Sequence, residues 1–179
     1  RRVLFRSSMA RNKRGNRKSE YAMMELELLS VLAEEVGKAY PIGELNRMWE
    51  MILTNQFHDI LPGSSIHEVY EQTKKEYAEI AETSEKLIGE RLEAFCDTKD
   101  ESVTVWNTLG HRRNDVVVLG ETGAEAMTDG TNVYPVQQTE KGAILYVENL
   151  PSKGYQVLRP ASGAAAKTPF GVTAAGEGY

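Results

Sequence analysis

The apolar positions of this chain follow one rhythm in its first half and another in its second. Over residues 19–36 they recur at helical spacing in two stripes, one through Tyr21, Met24, Leu28, Val31 and Leu32, the other through Ala22, Leu26, Leu29 and Ala33. Two stripes predict a helix covered on two sides, ended by Gly37 and Pro41. A second helix is predicted over 43–57 on Leu45, Met48, Trp49, Ile52 and Leu53, closed by the Leu61-Pro62-Gly63 breaker. The longest periodic run follows, from Ile66 through Val69, Thr73, Tyr77, Ile80, Ser84, Leu87 and Leu92 to Phe95. It predicts a helix of about eight turns at 3.6 residues per turn. Ser65-Ile66-His67-Glu68 at its start has the form of a capping box.

Short connections between consecutive helices favour antiparallel neighbours. The bundle core is expected to take Tyr21, Leu28 and Leu32 from the first helix, Leu45, Trp49 and Ile52 from the second, and Val69, Tyr77, Ile80, Leu87 and Leu92 from the third. After Asp97-Thr98-Lys99-Asp100 the segments become short and β-branched: 103–106, 116–119, 132–137, 143–147 and 154–158, separated by Gly-containing turns. Pro135 inside one of them argues for an edge or a bulge. The fold class is therefore α+β: an antiparallel three-helix bundle over 8–98, then an incomplete antiparallel β-sandwich beginning at 99–159, then mostly loop over 160–179.

Composition narrows this picture. The chain has 179 residues, 41% hydrophobic and 26% charged, an ordinary balance for a domain with a core. No apolar run is long enough to span a membrane. Cys96 is the single cysteine, which excludes an intrachain disulfide and a cysteine zinc cluster; a lone thiol fits a reducing, cytoplasmic setting. Eight basic residues precede the first acid, Glu20, and the remaining thirteen face all 26 acids, a balance of −13. A basic arm on an acidic body is the pattern of a nucleic-acid arm or a transit peptide. The opening RRVLFRS, however, resembles the in-frame translation of a sequencing adaptor, so residues 1–7 are set aside as an artefact and no nucleic-acid partner is expected.

The candidate chemistry lies in NQFHDILPGSS, residues 55–65. Asp59 falls seven residues after Ile52, so an unbroken helix would return a carboxylate to the apolar face, at a high desolvation cost. Either the helix ends first or Asp59 has a partner. His58 lies off that stripe, in line with Met51 and Thr54. Two bland roles are open: a histidine at a helix C-terminus, and an aspartate accepting turn N–H groups. A single histidine is not a metal site, and His67 and His111 are not at ligand spacing from it. The basic stretch 12–17 reads as a solvated turn, Asn107-Thr108-Leu109-Gly110 as another turn, and no phosphate loop, dinucleotide fingerprint or nucleophile elbow is present.

Four segments, in order, resemble glycoside hydrolase family 38, the α-mannosidases: SMARNKRGNRKSEYAMMELELLSVLA, LNRMWEMILTNQFHDILPGSSIHEVYEQ, VTVWNTLGHRRNDVVVL and LYVENLPSKGYQVLRP. The resemblance implies that this chain is the middle helical domain and the start of the C-terminal β region of a larger enzyme. It implies an upstream barrel holding one zinc ion, with His58 as a metal ligand supplied across the domain boundary and Asp59 as a substrate contact for sugar hydroxyls. The reaction it implies is retaining hydrolysis of terminal α-mannosides, with nucleophile and acid both in the barrel and no catalytic residue here. Bacterial members acting on phosphorylated mannosyl compounds share the resemblance. The rival expectation is a non-catalytic module that docks a partner protein.

Overall fold

The computed structural model of the chain describes residues 9–96, 101–140 and 142–161. The chain divides into two compact units, with the division after Cys96. The expected artefact at 1–7, the change of pattern at 97–100 and nearly all of the expected C-terminal loop lie outside the described residues.

The first unit is three helices: α1 (Ala10–Glu34), α2 (Ile42–Asn55) and α3 (His67–Glu93). Gly37 ends α1, as expected. Its φ of 84° is one a side chain resists. The Lys38 N–H reaches the Ala33 carbonyl at 3.0 Å and the Gly37 N–H reaches that of Glu34 at 3.0 Å, the paired bonds of a Schellman cap. No strand occurs between Glu20 and Phe95.

The first helix is longer than its apolar pattern predicted and turned on its axis. Its buried residues include Asn12, Asn16, Ser19, Met23, Leu26, Ser30 and Ala33, spaced alternately by four and three. That is the seam of a helix packed along its length on a partner. The partner is α3, where Thr73, Tyr77, Ile80, Ser84, Leu87 and Arg91 repeat the same spacing as buried or half-buried positions. Four positions of the α1 seam are polar, so an apolar count does not register them. Tyr21 is a correction: it is 59% exposed, as are Met24 and Val31 to similar degrees, and the second stripe with Leu26, Leu29 and Ala33 is the buried one. Leu53 of α2 is likewise exposed, while Leu45, Met48 and Ile52 are buried with Ile80. Trp49 packs half-buried against this cluster and donates its indole N–H to Glu27 at 2.7 Å. The basic stretch 12–17 is helix, not turn.

At Gly15 the two long helices come close. A Cβ there would lie 2.7 and 2.9 Å from Cδ2 and Cγ of Tyr77, whose phenol is pushed up to about 12 by burial and by the nearby Glu76 and Glu20 carboxylates. Gly15→Ala should gain about 1 kcal/mol of helix propensity and lose about 1–3 kcal/mol to overpacking, because the ring root cannot swing aside. The expected net result is a destabilised helical unit, read as a lower urea midpoint at unchanged slope. A higher midpoint would contradict the close approach.

The second unit is an antiparallel six-stranded sheet: β1 (Val103–Asn107), β2 (Arg113–Gly120), β3 (Ala126–Thr128), β4 (Val133–Thr139), β5 (Gly142–Leu150) and β6 (Gly154–Pro160), in the order β1-β6-β3-β4-β5-β2. The two edge strands touch, so the sheet is nearly closed around Val105, Met127, Tyr134, Leu145, Val147, Leu150 and Leu158. β3, three residues long, was not predicted. β4 is an inner strand, but Pro135 pairs only with β3 and β4 joins β5 from Val136, so Pro135 has the open side expected of it. Pro135 sits where the strand passes from one partner to the other, and the ladder bond to β3 comes from the Val136 N–H to the Glu125 carbonyl at 2.9 Å. The missing N–H of proline is tolerated at such a transition. Asn107 is buried and ties its turn together, its amide donating to the His111 and Pro151 carbonyls at 2.9 and 2.8 Å.

Asp129 anchors the β3–β4 turn. It accepts from the N–H groups of Thr131 and Asn132 at 2.8 and 2.6 Å, from the Tyr134 hydroxyl at 2.8 Å and from the Gln156 amide at 3.1 Å. Burial alone would raise its pKa; the hydrogen bonds, led by Asn132 and Thr131, outweigh it and hold the carboxyl down at about 2. A depressed pKa stabilises the fold above the ordinary value of 3.8, and that contribution fades as pH falls through about 2. Asp129→Asn should destabilise the sheet by roughly 1 kcal/mol at neutral pH, discounted for partial solvent exposure. The variant should also flatten the dependence of the sheet's unfolding on pH between 4 and 2, as followed by tryptophan fluorescence of Trp106.

Candidate functional site

The turn between α2 and α3 carries the predicted site. α2 stops at Asn55, whose buried amide donates to Glu76 of α3 at 2.8 Å. Gln56 follows as the C-cap, and its amide donates to Asn16 at 3.0 Å and Glu20 at 2.9 Å on α1. The N–H groups of Ile60 and Leu61 then close on the Phe57 carbonyl at 2.9 and 3.1 Å, a short turn separate from the helix. Of the two alternatives for Asp59, the helix has therefore ended, and the carboxylate never returns to the apolar face.

Gly63, with φ of 101°, reverses the chain where a side chain would be strained. This brings Ser64 and Ser65 back onto the turn. The Asp59 carbonyl accepts from the Ser65 hydroxyl at 2.7 Å and from the Ser64 N–H at 3.3 Å. The expected capping box is not formed, because the residue at the N-cap of α3 is Ile66 rather than Ser65. The Ser65 hydroxyl is engaged by Asp59, its N–H donates to the Tyr70 hydroxyl at 2.9 Å, and α3 begins behind Ile66 without a side-chain cap.

With the backbone so held, the side chains face outward. His58 is 74% exposed and Asp59 61%, with Nε2 of one 3.4 Å from Oδ2 of the other, too long for a strong hydrogen bond. Phe57 is exposed beside them, its ring centroid 4.2 Å from that of His58. Ile60 and Leu61, next in the turn, are half-buried. His67 is exposed at the start of α3.

Zinc binds imidazole and carboxylate donors, three from the protein in a catalytic site and four in a structural one. Among the described residues no group of three His, Cys, Asp or Glu side chains stands close enough to hold a metal. The outward imidazole of His58 suits zinc in donor type and is accessible, so it fits as one contributor to a site completed from elsewhere. It does not fit as a site by itself. The residues that the apolar pattern missed are those under the turn: Asn12, Asn16, Asn55, Gln56 and Ser65. Their signal in the sequence is polar residues at seam spacing on α1 and a Ser-Ser pair after Pro-Gly.

The helical unit thus displays one imidazole and one carboxylate at its surface, and an antiparallel sheet follows it in the chain. Residues 5–95 match the alpha mannosidase middle domain, and the chain belongs to that family. Alpha-mannosidase 2C1 of Homo sapiens is 34% identical over 118 residues, covering 64% of this chain and 11% of its own length. An alpha-mannosidase of Saccharomyces cerevisiae is 43% identical over 68 residues, covering 36% of this chain and 6% of its own length. The fold is also that of a glycosyl hydrolase family 38 protein from Enterococcus faecalis, with a TM-score of 0.68 at 16% identity, over 88% of this chain and 25% of that one. The chain thus spans about a tenth of the curated relatives it matches.

Proposed function

We propose that this chain is part of a glycoside hydrolase that cleaves terminal α-mannosides with retention of configuration, and that it contributes His58 as a zinc ligand and Asp59 as a sugar contact to a site whose other groups lie on a barrel domain of the same protein. The observation that carries this is the outward display of both side chains from a braced turn, on a unit that belongs to the alpha mannosidase middle domain family. Bound zinc would act as a template that orients sugar hydroxyls. His58 offers an accessible imidazole nitrogen, a donor type that suits zinc. Asp59 offers two acceptor oxygens, the complement of a pair of sugar hydroxyls. The exposed Phe57 ring gives the partner domain an apolar contact beside them. The nucleophile and the acid, which in a retaining enzyme stand about 5 Å apart on either side of the bond, are assigned to no residue of this chain.

The test is metal removal from the whole enzyme. A chelator should abolish turnover of an aryl α-mannoside, and zinc should restore it. The chain alone should be inactive with or without zinc. An enzyme that keeps full activity after complete removal of its metal would refute the zinc assignment. A whole protein with no glycosidase activity under any metal would favour a module that docks a partner protein.

A further inference from the structure

The turn that carries His58 and Asp59 is held at three points, two of them by bonds to α1 and one by Ser65. At Gln56, the amide reaches back to Asn16 and Glu20 of α1 at 3.0 and 2.9 Å. At Asp59, the carbonyl is bound by the Ser65 hydroxyl at 2.7 Å. At Ile60, the carbonyl accepts from the amide of Asn12, on α1, at 3.2 Å. Asn12 and Asn16 are 4% and 8% exposed. A buried amide in a helix seam is costly unless it is hydrogen-bonded, and an apolar residue would serve packing better. These amides sit at the end of the seam that adjoins the turn, while the apolar Met23 and Leu26 fill its middle. The grip is all on main-chain atoms or on Gln56, so the side chains of His58 and Asp59 stay free.

We infer that Asn12 and Ser65 are positioning residues: they hold the turn in one conformation so that His58 and Asp59 reach the metal and the sugar already oriented. This rests on the site reading given above. Groups that orient a metal ligand typically change metal affinity about 10–100-fold when removed. Here the orienting bonds act through the backbone, which places the expectation at the lower end, about tenfold.

The experiment uses the whole enzyme with Ser65→Ala, Ser65→Thr, Asn12→Asp and His58→Ala. Three quantities are read: zinc Kd by chelator competition, amide hydrogen exchange over residues 57–61, and the melting temperature. Ser65 lies at the surface end of its contact, so its alanine variant should keep its melting temperature, a guard in case Asn12→Asp fails to fold. The expected result is a zinc Kd about tenfold weaker in Ser65→Ala and Asn12→Asp, with faster exchange over 57–61 in the metal-free protein, and parental values restored in Ser65→Thr, which keeps the hydroxyl. A melting-temperature loss with unchanged zinc Kd would mean a purely structural role and overturn the inference. Unchanged Kd and exchange in Ser65→Ala, with zinc lost in His58→Ala, would overturn it and leave the site reading standing. Zinc retained in His58→Ala would overturn both.

Discussion

His58→Ala in the whole enzyme is expected to lower zinc occupancy and mannosidase activity together, while the helical unit keeps its stability. The two halves of that expectation come from one fact, the 74% exposure of the side chain. A largely exposed residue outside the core, whose one ring contact is to the exposed Phe57, changes stability by roughly 0.5 kcal/mol or less when truncated. The same exposure leaves the imidazole open to a metal held by another domain. Outer-shell partners of a metal ligand cost about 10–100-fold in affinity, so loss of a ligand itself should exceed ~100-fold. In a preparation dialysed against a chelator the metal would then be lost, and activity would fall with it. Metal content by atomic absorption, measured beside the rate and the melting temperature on the same preparation, separates this from misfolding. Full zinc and full activity in the variant would return His58 to the bland role of a histidine after a helix end.

The helices were legible because their cores carry the period in apolar side chains. Leu45, Met48 and Ile52 face the core of α2, and Ile80 is fully buried in α3. The rotation of α1 was not legible, because its seam is written partly in Asn12, Asn16, Ser19 and Ser30, residues that an apolar count assigns to solvent. Tyr21 and Met24 then won the assignment by size while standing outside. The capping box failed for a related reason. Ser65 and Glu68 have the right spacing, but spacing does not reveal that α3 starts one residue later, behind Ile66, with the Ser65 hydroxyl donating to the Asp59 carbonyl. In the sheet, β3 escaped because three residues are too few to show a period of two. Pro135 was read by its lost donor, and the register agrees in leaving its β5 side open, though in a strand that changes partners there. His58 and Asp59 stood out by residue type and by the helix break; the brace beneath them depends on contacts across 48 residues of chain, which local pattern does not record.

Asp59→Asn separates the two roles assigned to the turn, and its expected effect is large in one quantity and absent in another. The substitution keeps shape and keeps the carbonyl oxygen, so the backbone bonds to Ser64 and Ser65 remain. It replaces one acceptor oxygen with a donor and removes the charge. A hydrogen bond to a charged group contributes about 1.5–3 kcal/mol, so losing it from the sugar contact should lower kcat/KM by roughly 10- to 150-fold. Zinc content should be unchanged, because the donor proposed on this chain is the imidazole, not the carboxylate. The His58 contact at 3.4 Å is long and lies at the surface, where an ion pair contributes little, so its loss should not disturb the histidine. Against His58→Ala the two variants give a crossed pattern: metal and rate lost together in one, rate alone lost in the other. If Asp59→Asn lost zinc in parallel with activity, the carboxylate would be a ligand or an essential support of one, and its assignment as a sugar contact would be wrong. If it kept both, the sugar would be held by other groups, and the outward display of Asp59 would need another explanation.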